Sequence, residues 1–251
     1  MTHSLRPDTT RRDFTVLLVA DSPPSEPRND LGTPVARQEA IISLARATFA
    51  VGGSVAVPLD VDVAPLLGTL ALDYLGPRAA ELRGEQAPVP RVTVMETQGS
   101  SRPARQLLAP LAARGAIRFV DSEGEDVVLE ESMEAEIDRL DGVDRHTVTA
   151  SMVGVVRPAL AVLINPGRRA VEDVSVLREA GVRTFTFGLE DVDDQTAALF
   201  NQLGVEDPTE RLLVETTRSP WAEEEDTPRA GRDPVPPYAF LMQELVAERL
   251  G

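Results

Sequence analysis

The stretch over residues 159–172, ALAVLINPGRRAVE, decides the fold class of this chain. Ala159–Ile164 is a continuous apolar run, which is typical of a strand that is buried on both faces of a sheet. Asn165-Pro166-Gly167 breaks the run, because proline and glycine favour a turn. Apolar residues at helical spacing then predict a helix over about 171–180. The stretch is therefore one strand–turn–helix unit.

The same alternation of strand and helix continues outward from this unit. Short apolar runs predict strands at 14–20, 54–57, 91–95, 117–120, 159–164 and 183–187, and helical spacing predicts helices at 35–51, 63–75, 103–114, 148–156, 171–180 and 195–203. Strands that are separated by helices of this length pair in parallel, with right-handed crossovers. We therefore predict an α/β fold, with a doubly wound, mostly parallel Rossmann-like sheet and helices on both faces.

Composition divides the chain into four segments. Residues 1–13 are polar and are expected to be flexible, and 14–207 are expected to form the Rossmann-like domain. Residues 208–237 are rich in proline and acid, which predicts an irregular segment. Residues 238–251 predict a C-terminal helix with one apolar face, which docks on the domain or, in the rarer case, on a second copy. Within the domain, the acid-dense residues 121–146 predict a loop and an exposed amphipathic helix.

The composition also excludes several chemistries. The chain has 25 Lys+Arg against 41 Asp+Glu, a net charge of −16, and such a field repels nucleic acid. Every basic residue is Arg, which excludes a P-loop lysine and a Schiff-base lysine, and the absence of Cys excludes thiol nucleophiles. With two His, a histidine-rich metal site is excluded, and we expect neither a metal nor a cofactor. No run reaches the roughly 18 apolar residues of a membrane span, and no signal-peptide pattern is present, so we expect a cytoplasmic protein without membrane contact.

Ligands of an open parallel sheet bind beyond the carboxyl ends of its strands. Four predicted loops lie there, at residues 21–34, 58–62, 96–102 and 165–172. In the first, Asp21 and Ser22 follow a strand directly, so that a carboxylate and a hydroxyl face the crevice. A plain Asp-Ser-Pro turn explains these two residues equally well. In the third, Glu96 begins a polar strand end whose glycine can form an anion-binding nest.

The loop over 165–172 is the most informative. It places Gly167, Arg168 and Arg169 near a helix N-terminus, an arrangement that suits phosphate. An ordinary βα turn explains the same residues, with Glu172 in the first helical turn complementing the helix dipole. The residues alone leave both interpretations open.

The order of these motifs resembles the SLOG superfamily, the Rossmann-like fold shared by lonely-guy phosphoribohydrolases and DprA-type DNA-processing proteins, and most of all its sensor-like branch. The resemblance covers roughly residues 14–204 and rests on the Ser-Pro loop after the first strand, Val35-Ala36-Arg37, Gly52-Gly53, Ala64-Pro65-Leu66 and Asn165-Pro166-Gly167-x-x-Ala170-Val171-Glu172-Asp173. The chain departs from the family where Pro58-Leu59 replaces a Gly-Gly pair. In the later motif, Gly167 and the acid persist, and two arginines can supply charge in place of the lost glycines.

The resemblance implies binding of a nucleotide-derived small molecule, NAD- or ADP-ribose-like, by a sensor in a defence or signalling system. Together with the strand-end loops, it predicts the roles of seven residues. Asp21 and Ser22 contact a ribose or phosphate, Gly53 ends a helix close to the ligand, Glu96 contributes from its loop, Gly167 and Arg168 form a phosphate corner, and Glu172 orients a hydroxyl.

Two other functions stay open. A hydrolase of the same fold would cleave an N-glycosidic bond with Glu172 as nucleophile or base. A protein-interaction module would have a degenerate pocket and would contact a partner, or a second copy, through residues 121–146 or the terminal helix. Our expectation is binding rather than catalysis.

Overall fold

The computed structural model contains six strands and six helices within its described residues. The strands are β1 (Thr15–Ala20), β2 (Ser54–Pro58), β3 (Val92–Met95), β4 (Ile117–Val120), β5 (Leu160–Ile164) and β6 (Arg183–Phe187). The helices are α1 (Pro34–Ala50), α2 (Val63–Leu75), α3 (Arg102–Ala113), α4 (Arg145–Val156), α5 (Ala170–Glu179) and α6 (Asp194–Gln202). The structure describes residues 14–21, 34–58, 62–76, 91–95, 102–121, 123–127, 145–187, 193–206, 242–243 and 246–247. The predicted segments 1–13 and 208–237 lie outside these ranges.

The strands form one sheet in the order β4-β3-β2-β1-β5-β6, and every neighbouring pair is parallel. The predicted α/β class with a doubly wound, parallel sheet is therefore confirmed. Strands β2, β3 and β4 follow one another on one side of β1, and strands β5 and β6 lie on its other side. The direction of winding thus reverses between β1 and β5.

Both faces of the sheet are covered, which explains why the strands are apolar at most positions. Alternate residues of β1 enter separate hydrophobic clusters, Val16 and Leu18 on one face and Leu17 and Val19 on the other. Helices α1, α2 and α3 contribute to the first cluster, and α4, α5 and α6 contribute to the second. Met242 and Val246, near the C-terminus, are helical and buried in the first cluster.

Most elements begin and end within one residue of their predicted limits, but two regions differ. Helix α4 begins at Arg145, three residues before the predicted start. Residues 123–127 turn back onto β4 through an antiparallel bridge between Val120 and Asp126. An ion pair between Arg118 and Asp126 holds this turn. Residues 128–144, where the exposed helix was predicted, lie outside the described ranges.

Candidate functional site

The candidate site lies at the carboxyl edge of the sheet, where β1 and β5 are neighbours. The connection after β1 leads to α1 on one face, and the connection after β5 leads to α5 on the other. The N-termini of both helices therefore meet this edge, and each carries a partial positive charge. A crevice between two diverging connections is where open α/β sheets bind ligands.

Asp21 joins the two sides of this crevice. Its backbone N–H donates to the carbonyl of Ile164 at 3.0 Å, which continues the pairing of β1 with β5 by one bond. Its side-chain Oδ2 accepts a hydrogen bond from the backbone N–H of Gly167 at 2.9 Å. The residue after β1 is thus bonded to the loop after β5. Two of the predicted site residues therefore lie together at the carboxyl edge of the sheet.

Arg37, in the first turn of α1, also contacts Asp21. Its Nε donates to the Asp21 carbonyl at 2.7 Å, and its side chain is half-buried. Within the described part of the chain, its two terminal nitrogens make no hydrogen bond. A guanidinium has several N–H donors, so Arg37 can hold the Asp21 carbonyl through Nε and donate to a bound anion through its terminal nitrogens.

Asn165 begins the connection after β5. Its φ of 49° lies in the left-handed region, although the following proline favours an extended conformation. The residue is 7% exposed, and its backbone N–H donates to the carbonyl of Phe187 at 2.8 Å. Its side-chain Nδ2 is buried and has no hydrogen-bond partner among the described residues. Such orphaned donors are rare in folded proteins, and they call for an explanation.

Gly167 is not required by the packing around it. A Cβ built there would lie 3.7 Å from Asp21 Oδ2, an ordinary contact, and the φ of Gly167 is outside the left-handed region. The neighbouring Arg168 and Arg169 are exposed and form no ion pair with another described residue. The loop therefore presents an open backbone position and two exposed cations beside the N-terminus of α5.

The first turn of α5 holds two acidic residues in different environments. Glu172, the predicted site residue, is exposed, whereas Asp173 is 1% exposed. Asp173 shares the sheet-facing side of the helix with Ala170, Val174 and Leu177. This helical spacing is visible in the sequence and would have identified Asp173 as the buried acid.

Gly53 lies at the opposite edge of the sheet, because it precedes β2. A Cβ at this position would lie 2.6 Å from Phe14 Cδ1 and 2.9 Å from Thr48 Cγ2. The glycine therefore allows the end of α1 to approach the start of β1. The prediction that Gly53 lies close to the ligand disagrees with this placement.

The structure thus brings Asp21 and Gly167 into contact, and it places Arg168 on the connection after β5 and Glu172 in the first turn of α5. Ser22 and Glu96, the two other predicted residues, lie outside the described ranges. Sequence reasoning missed Arg37 and Asn165. The left-handed backbone of Asn165 and the missing partner of its side-chain amide cannot be predicted from residue types alone.

The edge carries side chains of both charges. Arg37, Arg168 and Arg169 lie near the two helix N-termini, and Asp21, Glu172 and Asp173 lie in the same region. Within the described ranges, no group of three or more His, Asp or Glu side chains is arranged to hold a metal ion. The arginine side chains and the backbone N–H groups at the helix N-termini can bind anionic groups of a ligand. The carboxylate of Asp21 can accept a hydrogen bond from a ligand hydroxyl.

Neither a scan against protein-family models nor a search of curated proteins finds a match to this chain. Among the described helices, none is both long and apolar enough to cross a membrane.

Proposed function

We propose that this chain binds a nucleotide-derived small molecule of the NAD or ADP-ribose type between the β1 and β5 connections, as a sensor or accessory module. The observation that carries the proposal is the 2.9 Å hydrogen bond from Gly167 to Asp21, which joins the two connections where the winding of the sheet reverses. Dinucleotides bind at this kind of position in other doubly wound sheets.

The residues around this bond suit such a ligand. The helix N-termini, Arg37 and Arg168 supply donors and positive charge for a pyrophosphate. The carboxylate of Asp21 supplies an acceptor for a hydroxyl.

Binding fits the site better than hydrolysis. A catalytic carboxylate has to be held within hydrogen-bond reach of the reacting group. Glu172, which the hydrolase interpretation requires, is exposed, and its carboxylate accepts no hydrogen bond from another described residue. The geometry therefore supports a binding site without an assigned catalytic residue.

Isothermal titration calorimetry of the full chain with ADP-ribose, NAD and AMP tests the proposal. We expect saturable binding of at least one of them and a loss of about tenfold to a hundredfold in affinity for Arg37→Gln, because a charge-assisted hydrogen bond is lost. Arg46→Gln is the matched control, since Arg46 is exposed near the other end of α1. The absence of binding by all three ligands, or equal losses in both variants, would contradict the proposal.

A further inference from the structure

The buried amide of Asn165 is not used by the interactions described above. Its Nδ2 has no hydrogen-bond partner among the described residues, and the side chain is more than nine-tenths buried. A buried donor without a partner costs free energy, and a ligand acceptor recovers that cost. The left-handed backbone at Asn165 is a second unfavourable feature at the same residue, and such features cluster at binding sites.

Strand register places Asn165 beside Asp21. Ala20 of β1 is paired with Ile164 of β5, so the next residue of each strand, Asp21 and Asn165, follows at the same level. The backbone N–H groups of both residues are fixed, Asp21 to the carbonyl of Ile164 and Asn165 to that of Phe187. A carboxylate and a carboxamide are thus presented by neighbouring, well-anchored positions.

We propose that Asn165 and Asp21 together bind one ribose hydroxyl of the ligand, so that a sugar, and not a phosphate, occupies the junction of the two strands. This inference rests on the proposed function, and it assigns the sugar and the phosphates of the ligand to different parts of the crevice. The phosphates then lie toward Arg37 and Arg168.

The chemistry of the two side chains supports a hydroxyl. An ionised carboxylate accepts hydrogen bonds, an amide nitrogen donates them, and a hydroxyl does both. The hydroxyl can donate its hydrogen to Asp21 and accept a hydrogen bond from Nδ2 of Asn165. Although Asp21 Oδ2 already accepts from Gly167, a carboxylate has further lone pairs. A phosphate at the same place would be repelled by the carboxylate.

Calorimetric titration of the full chain with ADP-ribose, and with analogues that each lack one ribose hydroxyl, tests this inference. We expect the wild type to bind one analogue about tenfold more weakly than ADP-ribose, because that analogue leaves a buried polar group without its partner. Asn165→Gly removes the amide, and glycine accepts a positive φ. This variant is expected to bind ADP-ribose about tenfold more weakly and to lose the discrimination against that analogue.

Asn165→Asp provides a second variant of nearly the same shape, in which the donor becomes an acceptor. We expect it to bind ADP-ribose more weakly than Asn165→Gly does, and thermal unfolding without ligand verifies that both variants are folded. If the wild type binds every analogue as well as ADP-ribose, or if Asn165→Gly keeps the discrimination, the inference is wrong and the proposed function stands. Failure of the wild type to bind ADP-ribose overturns the inference, and failure to bind NAD and AMP as well overturns the proposed function.

Discussion

Gly53 and Gly167 are both predicted site residues, and their surroundings predict different effects of an added methyl group. At Gly53 the Cβ would lie 2.6 Å from a Phe14 side-chain carbon, so Gly53→Ala is expected to lower the free energy of unfolding by about 1–3 kcal/mol. At Gly167 the nearest described atom would be 3.7 Å away, so Gly167→Ala is expected to change stability by less than about 0.5 kcal/mol.

Urea unfolding of both variants measures this difference. The same Gly167→Ala variant is expected to bind ADP-ribose more weakly, because its methyl group enters the open position beside Asp21. A loss of stability at Gly167 as large as that at Gly53 would mean that the open space is filled by part of the fold, and would count against a ligand there.

At the scale of single elements, helix α6 has a titratable cap. The side chain of Asp193 accepts hydrogen bonds from the Thr196 hydroxyl at 2.7 Å and from the Thr196 backbone N–H at 2.9 Å. These two hydrogen bonds lower the pKa of Asp193 below its ordinary value. Since the folded pKa lies below the unfolded value of about 3.9, the cap stabilises the fold above that pH, and the contribution is lost as the pH falls through the folded pKa.

Asp193→Asn keeps a capping side chain without titration, and it is the matched comparison. Thermal unfolding at pH 7 and pH 3 is expected to show a stability advantage of the wild type that shrinks or reverses at the lower pH. An advantage that grows on acidification would show that the carboxylate does not stabilise the helix through these bonds.

The elements themselves were largely predictable from the sequence. Ala159–Ile164 has no polar residue, and Tyr74, Leu70 and Leu67 in α2 repeat at helical spacing, so local pattern alone decides the type of each element. The turn over 123–127 was not predictable in this way, because it forms through its bridge to β4. The left-handed backbone of Asn165 was likewise not predictable, because the following proline favours an extended conformation at that residue.

At the scale of the whole molecule, residues near the C-terminus belong to the core. Met242 is fully buried in the cluster that also contains residues of α1, α2 and α3, whereas its neighbour Gln243 is exposed. Met242→Ala is expected to lower the free energy of unfolding by about 2–5 kcal/mol, because it leaves a cavity. Gln243→Ala, the control, is expected to change it by less than about 0.5 kcal/mol. Chemical unfolding measures both, and similar values for the two variants would show that this part of the chain does not pack on the sheet.

The strand order is the feature of the whole molecule that local patterns do not determine. Alternating strands and helices predict a parallel sheet, yet many orders of six strands satisfy that pattern. The position of β5 beside β1 brings Asp21 next to Gly167, which is distant from it in sequence. The candidate loops were therefore predictable one by one, and their meeting at one crevice was not.

Hydrogen–deuterium exchange of the full chain, with and without ADP-ribose, tests most directly whether this crevice binds a nucleotide-derived ligand. The account predicts slower exchange with ligand in peptides that contain Asp21, residues 165–171 and the first turn of α1. It predicts unchanged exchange at the opposite edge, around Gly53 and Arg91. Protection confined to that opposite edge, or no protection anywhere at saturating ligand, would contradict the account.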